Sequence, residues 1–542
     1  MSATTSRPSL PSPEAPGAAA ARPWHAVWPA HVPRSIDYPR APAWWLLEKN
    51  VADFGSRIAL RDLDHETLAE RRALSYEALF RAVRGIAAGL RASGVTAGAR
   101  VGFCLPNGVE LIAGYYATWH AGGVVVPANP AARESEVEQQ LTDAGVSLVV
   151  APDGSAGARV AERLGLRRVG LSAFREMETL PPAPPAPCAP EDDVAVLLYT
   201  GGTTGSPKGA MLTHSNIVTN TIQFARWYAF ARGDEVSACA IPMYHSGGMS
   251  GVMNVPLSAA ATLLLFPRFN AASVAAAVGR YRVTRLFGVP TMFIALLNDE
   301  AGRRADYASL RACRTNAAPL PPSVKAAFDG LVGRPVLVEG YGLTETSPLT
   351  HANPIERAKA GSIGVPLPDT DARVVDLESG ADVAPGAPGE LLIRGPQVMR
   401  GYWRREEATA QAIRDGWLHT GDVAVMDGEG YFAVVDRKKD VINTAGFKVW
   451  PREVEETLYQ HPAVKLAAVV GVPDDYRGEA VKAYIVLKDG HHGRLTEPEV
   501  IEFCRARLTA YKAPRSVDFR DELPVSGAGK MLRRLLRDEG ER

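Results

Sequence analysis

Residues 99–130 read "ARVGFCLPNGVELIAGYYATWHAGGVVVPANP". Their order decides the fold class. "ARVGFCLP" predicts a short apolar strand, "NGVELIAGYYATWHAGG" a helix closed by glycines, and "VVVPANP" a second strand. The pattern continues on both sides. "LSYEALFRAVRGIAAGLRASG" (Leu74–Gly94) carries apolar residues at helical spacing, and after the second strand come a helix, "SEVEQQLTDAG", and a strand, "VSLVVAP". Alternation of this kind from about His25 to Ala151 predicts an α/β layer architecture with a largely parallel sheet.

The chain has 542 residues, too many for one ordinary core, so two or more domains are expected. Its formal net charge is zero, which argues against a nucleic-acid partner. Five dispersed cysteines, Cys104, Cys188, Cys239, Cys313 and Cys504, form no C-x-x-C pair; they point to a reducing cytoplasm rather than to disulfides or zinc. No apolar run approaches the ~20 residues that span a bilayer. The Pro/Ala/Ser-rich start lacks the apolar core of a secretory signal, and residues 1–24 are expected to be a disordered tail. "PPAPPAPCAPEDD" (Pro181–Asp193) reads as a stiff surface loop leading into the strand "DVAVLLY". A boundary is expected near Asp436, where "VVDRKKDVINTAGF" passes from a strand through a charged segment into a new unit. This divides the chain into a large domain, residues 25–436, and a small α+β domain, residues 437–542.

The strand "DVAVLLY" runs into "YTGGTTGSPKGAM" (Tyr199–Met211), with four glycines, three threonines and one lysine. Such a loop turns backbone N–H groups and hydroxyls toward an anion, and Lys208 adds a charge. It is not a P-loop, because Lys208 follows Pro207 and precedes Gly209. Two further glycine turns carry matching chemistry. "GYGLTET" (Gly340–Thr346) offers a hydroxyl and a carboxylate for phosphate and Mg²⁺. "GWLHTGD" (Gly416–Asp422) ends in an aspartate able to take both hydroxyls of a ribose. Either alone is more often a plain turn.

Taken in order, "YTGGTTGSPKGAMLTHSN", "PMYHSGG", "VEGYGLTETSPLT", "GSIGVPLP", "GWLHTGD", "DRKKDVINTAGFKVWPREVE" and "LPVSGAGKMLRR" resemble the adenylate-forming superfamily of acyl-CoA synthetases, luciferase-like enzymes and adenylation domains. The likeness covers nearly everything after the tail and is strongest to bacterial long-chain fatty acyl-CoA synthetases. It implies a large α/β domain of several subdomains with a small mobile α+β domain. The substrates it implies are ATP, CoA and a fatty acid, with Mg²⁺ as cofactor.

Residue by residue, the resemblance assigns Thr200, Gly201, Gly202, Thr203, Thr204, Gly205 and Lys208 to the β- and γ-phosphates. It assigns Thr344 to the α-phosphate and Glu345 to Mg²⁺. Tyr341 is implied to stack on adenine beside the backbone of Ala317, Ala318 and Pro319, Asp422 to bind the ribose, and Arg437 to reach ribose or phosphates. Lys530 would bridge the carboxylate and the nucleotide during adenylation. Lys439 occupies the hinge position, Gly446 the pantetheine tunnel, and His245 a gate beside the acyl site.

"HSGGMSGVMNVP" and "FGVPTMF" are expected to line an open, adaptable apolar cavity, suited first to an alkyl chain and second to an aryl or alicyclic acid. A ligase that loads a carrier protein, or a binding module that has lost catalysis, are the rival classes. Contact with the inner membrane surface would be peripheral, and a homodimer stays open.

Overall fold

The strand–helix–strand unit at residues 99–130 forms as the pattern predicts. Strands Arg100–Phe103 and Val124–Pro127 pair in parallel with Val101 opposite Val125, and helix Val109–Ala121 connects them. This is a computed structural model that describes residues 22–200, 207–474, 476–488, 490, 491, 493, 495–524 and 531–540. Gly122 ends the helix in the left-handed conformation (φ 87°), returning its N–H to the carbonyls of Thr118 and Trp119. Every residue of the helix except Glu110 is buried. Two sheets enclose it. The Trp119 indole donates to the Ala195 carbonyl in one (2.9 Å), and the Tyr115 hydroxyl to the Met243 carbonyl beside the other (3.0 Å). Each Leu or Ile buried there contributes about 1.5–3 kcal/mol. Gly114 is required where the helix meets the sheet, since a β-carbon would stand 2.4 Å from the Phe103 ring.

The first sheet has seven strands and holds the strand Val194–Thr200 beside Val124–Pro127, with Lys208–Thr213 as its antiparallel neighbour. The second has nine. Its strands Val236–Cys239, Arg285–Gly288, Ala312–Thr315 and Leu337–Gly342 run parallel as consecutive neighbours. Their carboxyl ends therefore open on one side, where ligand crevices of open α/β sheets form.

A third, antiparallel sheet of five strands spans residues 371–437. Its long strand Trp417–Met426 lies against Phe432–Arg437. No boundary for this layer is apparent in the sequence pattern. Trp24, at the end of the stretch read as tail, is buried on this side of the molecule with its ring 5.9 Å from that of Phe432.

Beyond Arg437 the chain builds another five-stranded sheet around Gly478–Leu487, with helices Pro451–Tyr459 and Glu497–Arg505. Its core is its own: Ile442, Val454, Leu458, Val469 and Ile485 pack together. Strands and helices together make this unit α+β. A terminal helix, Arg533–Gly540, is added to them. Arg533 on that helix ties the unit to the large domain. Its guanidinium meets Glu455 at 2.6 Å and Asp436, in strand Phe432–Arg437, at 3.4 Å.

Candidate functional site

A single cleft of about 1480 Å³ runs along the carboxyl ends of the nine-stranded sheet and is closed on one side by the small domain. At one end, Thr200 and Lys208 face each other where their strands part; the intervening Gly201, Gly202, Thr203, Thr204 and Gly205 lie outside the described residues. The Lys208 ammonium stands 5.2 Å from the ring centre of Tyr402. The Tyr402 hydroxyl donates to Oε1 of Glu345 at 2.7 Å. Thr344 and Glu345 sit in the short helical turn Thr344–Thr346, and the Glu345 carbonyl is held by the Met399 N–H at 2.7 Å. One carboxylate oxygen of Glu345 is thereby fixed. The other is left for a cation, and a carboxylate beside an ammonium suits a magnesium–phosphate pair.

The middle of the cleft suits a nucleoside. Tyr341, on strand Leu337–Gly342, donates its hydroxyl to Oδ2 of Asp422 at 2.5 Å. Nε of Arg437 meets Oδ1 of Asp422 at 3.2 Å, the two residues lying opposite each other on paired strands. Asp422 is 4% exposed. Its two oxygens each retain a lone pair for a ligand hydroxyl. Ala317, Ala318 and Pro319 follow strand Ala312–Thr315 and border the same space. Ala317 holds φ at 72°, a left-handed conformation costing about 1–2 kcal/mol for a residue with a β-carbon. Lys439 lies at the domain junction, where burial and then the Arg437 charge pull its ammonium down to about 8.

The other end is apolar. His245, Gly247, Gly248, Phe287 and Met292 line it. Burial drives the His245 imidazole down to about 4, and its Nε2 has no hydrogen-bond partner among the described residues. The imidazole is therefore neutral at physiological pH. Expectation and structure part at two of the methionines, while Met292 of "FGVPTMF" does border the cleft. Met249 and Met253 are fully buried in the core behind segment Gly248–Asn254, because that segment forms a helical turn with its methionines facing inward. Of "HSGGMSGVMNVP", His245, Ser246, Gly247 and Gly248 meet the cleft.

Gly446 does not border the cleft. It turns the hairpin between strands Ile442–Thr444 and Phe447–Val449 with φ 81°, and no atom lies within 4 Å of where a β-carbon would be. Lys530 lies outside the described residues, although its neighbours Met531 and Leu532 border the cleft.

Two cleft residues escaped the sequence reading. Tyr402, in "GYW", carries no signal of its own. Glu339, in "VEGYG", is 7% exposed, and burial raises its carboxyl to about 7 against a weaker opposing pull from Arg452. Its Oε2 accepts from the Leu320 N–H at 3.3 Å. Between the ordinary value of 4.5 and about 7, the native state holds a proton that the unfolded chain has released. Stability therefore falls as pH rises through that window. Glu339→Gln should remove this dependence, gaining up to about 3 kcal/mol over the parent at pH 8 and nothing at pH 4. Thermal melting of both proteins from pH 4 to 8 checks it, and a constant gap would refute the assignment.

Two family models match the chain, one described as AMP-binding enzyme over residues 47–403 and one as AMP-binding enzyme C-terminal domain over residues 453–530. A long-chain-fatty-acid–CoA ligase of Bacillus subtilis is 38% identical, with 96% of this chain and 98% of that protein covered. A feruloyl-CoA synthase of an Amycolatopsis species is 41% identical over 85% of this chain and 93% of its own. Among solved structures, o-succinylbenzoate coenzyme A synthetase of Bacillus subtilis, in complex with ATP and a magnesium ion, matches with a TM-score of 0.81 at 28% identity. That match covers 92% of this chain and 99% of the other.

Proposed function

The chain belongs to the AMP-binding enzyme family, and from that premise we propose that it is an AMP-forming fatty acyl-CoA synthetase. In the first step a carboxylate oxygen of a medium- or long-chain acid attacks the α-phosphorus of ATP, giving acyl-AMP and releasing pyrophosphate. In the second the CoA thiol, losing its proton, attacks the acyl carbon and AMP leaves. The mixed anhydride is needed because a free carboxylate is a poor acyl donor.

The observation that carries this reading is the order of groups along one cleft. Lys208 and Glu345 lie at one end, Tyr341, Asp422 and Arg437 in the middle, and an apolar wall of glycines and Phe287 at the other. A nucleoside triphosphate and an alkyl acid need that sequence of surroundings. Lys208 and the loop before it bind the terminal phosphates, and Thr344 donates to the α-phosphate. Glu345, held by Tyr402, is the residue that would hold Mg²⁺, which when bound offsets phosphate charge and polarises the phosphoryl oxygens. Tyr341 packs on adenine, Asp422 takes the ribose hydroxyls, and His245 guards the passage between acyl end and nucleotide. Lys439 is the hinge, and Lys530 bridges the reacting oxygens.

The long-chain relative covers nearly the whole chain and favours an alkyl acid. A ring-bearing acid is the second reading, favoured by the feruloyl-CoA synthase likeness. No helix among the described residues is long and apolar enough to cross a membrane, so the proposal keeps any bilayer contact peripheral. A pyrophosphate-release screen across alkyl acids of increasing length, with cinnamate-type and alicyclic acids included, tests the reading. Activity is expected to peak on medium to long alkyl acids and to require CoA for AMP release. A ring-bearing acid used while palmitate is inert would overturn it.

A further inference from the structure

Asp143 sits in the last turn of helix Glu134–Ala144, which Gly145 ends in the left-handed conformation. A carboxylate there faces the negative end of its own helix, where a cation is favoured, and that turn holds no basic residue. Its partners come from elsewhere in the chain. Oδ2 accepts from the Tyr199 hydroxyl at 2.6 Å, and Oδ1 from Nη2 of Arg405 at 2.5 Å. The Asp143 backbone carbonyl accepts from Nε1 of Trp403 at 3.2 Å. The carboxylate is 18% exposed and does not border the cleft.

These partners flank the strand that carries Lys208. In the seven-stranded sheet, Lys208–Thr213 lies between Val194–Thr200 on one side and the short strand Gly401–Tyr402 on the other. Tyr199 stands opposite Gly209, and the Trp403 N–H donates to the Gly209 carbonyl at 2.8 Å. A β-carbon on Gly209 would stand 3.1 Å from the Tyr199 ring, so the ring lies across the middle strand on its way to Asp143. Successive residues of a strand project to opposite faces. Tyr199 and Trp403 pack on the outer face with Val137, Leu141 and Ala144 of the helix. Their chain neighbours Thr200 and Tyr402 border the cleft, as does Lys208. Asp143 therefore braces the phosphate end from behind, gripping both neighbours of the Lys208 strand at once.

We propose that Asp143 is a positioning residue for the triphosphate end of the site. It touches no substrate. It fixes the spacing between the Lys208 strand and the segment bearing Tyr402 and, through the Tyr402 hydroxyl on Oε1 of Glu345, the place of the carboxylate that would hold Mg²⁺. The proposal rests on the acyl-CoA synthetase reading and adds to it the residue that sets the distance between the cation and the carboxylate that MgATP must satisfy together. A small misplacement of such groups is costly because the phosphate oxygens and the metal have fixed separations.

Asp143→Ala removes both side-chain bonds and should lower kcat/KM for MgATP in pyrophosphate release by about 10–100-fold, the range for hydrogen bonds to a charged group. Thioester formation from preformed acyl-AMP and CoA involves no triphosphate and should stay within about threefold of the parent. Asp143→Asn keeps an acceptor for the Tyr199 hydroxyl but loses the charge facing Arg405, and should fall between the two. Added to Tyr402→Phe, Asp143→Ala should lose little beyond the larger single loss, since both act through the same Glu345 carboxylate. Affinity for MgATP, measured by calorimetry without an acid, should weaken in step with kcat/KM. The proposal fails if thioester formation is lost as deeply as adenylation, as a brace of the fold alone would give. It fails also if Asp143→Ala binds MgATP as the parent does, or if the two losses add in full. A parent that binds MgATP but releases pyrophosphate with no acid would instead overturn the synthetase reading itself.

Discussion

Glu345→Gln is expected to slow pyrophosphate release by about 10²–10³-fold, the usual loss when one preorganised electrostatic group is removed. The substitution isolates charge from placement. The Gln carbonyl can still accept from the Tyr402 hydroxyl, which meets Oε1 of Glu345 at 2.7 Å, so the turn Thr344–Thr346 should keep its position. Only the negative charge beside the Lys208 end of the cleft is lost. Tyr402→Phe does the opposite, keeping the carboxylate but removing the hydroxyl that orients it. A hydrogen bond to a charged group is worth about 1.5–3 kcal/mol, so that variant should lose about 10–100-fold. Because a misplaced carboxylate binds Mg²⁺ more weakly without losing its charge, raising the Mg²⁺ concentration should restore much of the Tyr402→Phe loss and little of the Glu345→Gln loss. Steady-state pyrophosphate release at two Mg²⁺ concentrations measures both. Activity of Glu345→Gln within about threefold of the parent would remove Glu345 from the metal role.

Local pattern made the parallel layers legible. Strand Arg100–Phe103, helix Val109–Ala121 and strand Val124–Pro127 form within three residues of where apolar runs and glycines put them. That the helix is buried all round depends on two sheets closing over it, which no local period reports. The antiparallel layer was harder to see. One of its strands, Ile413–Arg414, has two residues, and its register depends on partners such as Leu418 rather than on its own alternation. The candidate site followed the same division. Asp422 and Arg437 were singled out from their runs, and the structure supplies the reason they work together: paired strands set them opposite each other. Glu339 and Tyr402 have no such signal. A glutamate in "VEGYG" is unremarkable until burial raises its carboxyl. Met249 and Met253 failed in the opposite sense. They have the composition of an acyl pocket, but the turn Gly248–Asn254 points them into the core.

Lys530→Ala and Gly446→Leu are expected to disable opposite half-reactions. Lys530 lies outside the described residues, but the chain around it is anchored. Leu532 donates its N–H to the Pro524 carbonyl at 2.9 Å, Arg533 pairs with Glu455 at 2.6 Å, and Met531 borders the cleft. Gly446 belongs to the same small domain yet stands away from the cleft with open space around it. If the domain presents these two sites in turn, Lys530 is needed only while acyl-AMP forms. Lys530→Ala should then lose about 10²–10³-fold in pyrophosphate release, equivalent to about 2.7–4 kcal/mol. It should still convert preformed acyl-AMP and CoA to the thioester. Gly446→Leu should adenylate nearly normally, because a β-carbon there points into open space in the arrangement described, and should fail with CoA when the turn lines the pantetheine path. Its φ of 81° would strain any side chain, so strain must be separated from bulk. Ala445 beside it already holds φ at 50°, which shows that the hairpin accommodates a β-carbon in that region. Gly446→Ala carries the strain without the bulk and should retain both half-reactions. Assaying the three variants in adenylation and in thioester formation decides the matter. Equal loss in both half-reactions for Lys530→Ala, or full thioester formation by Gly446→Leu, would mean that the domain does not alternate; a loss in Gly446→Ala equal to that of Leu would assign the effect to backbone strain.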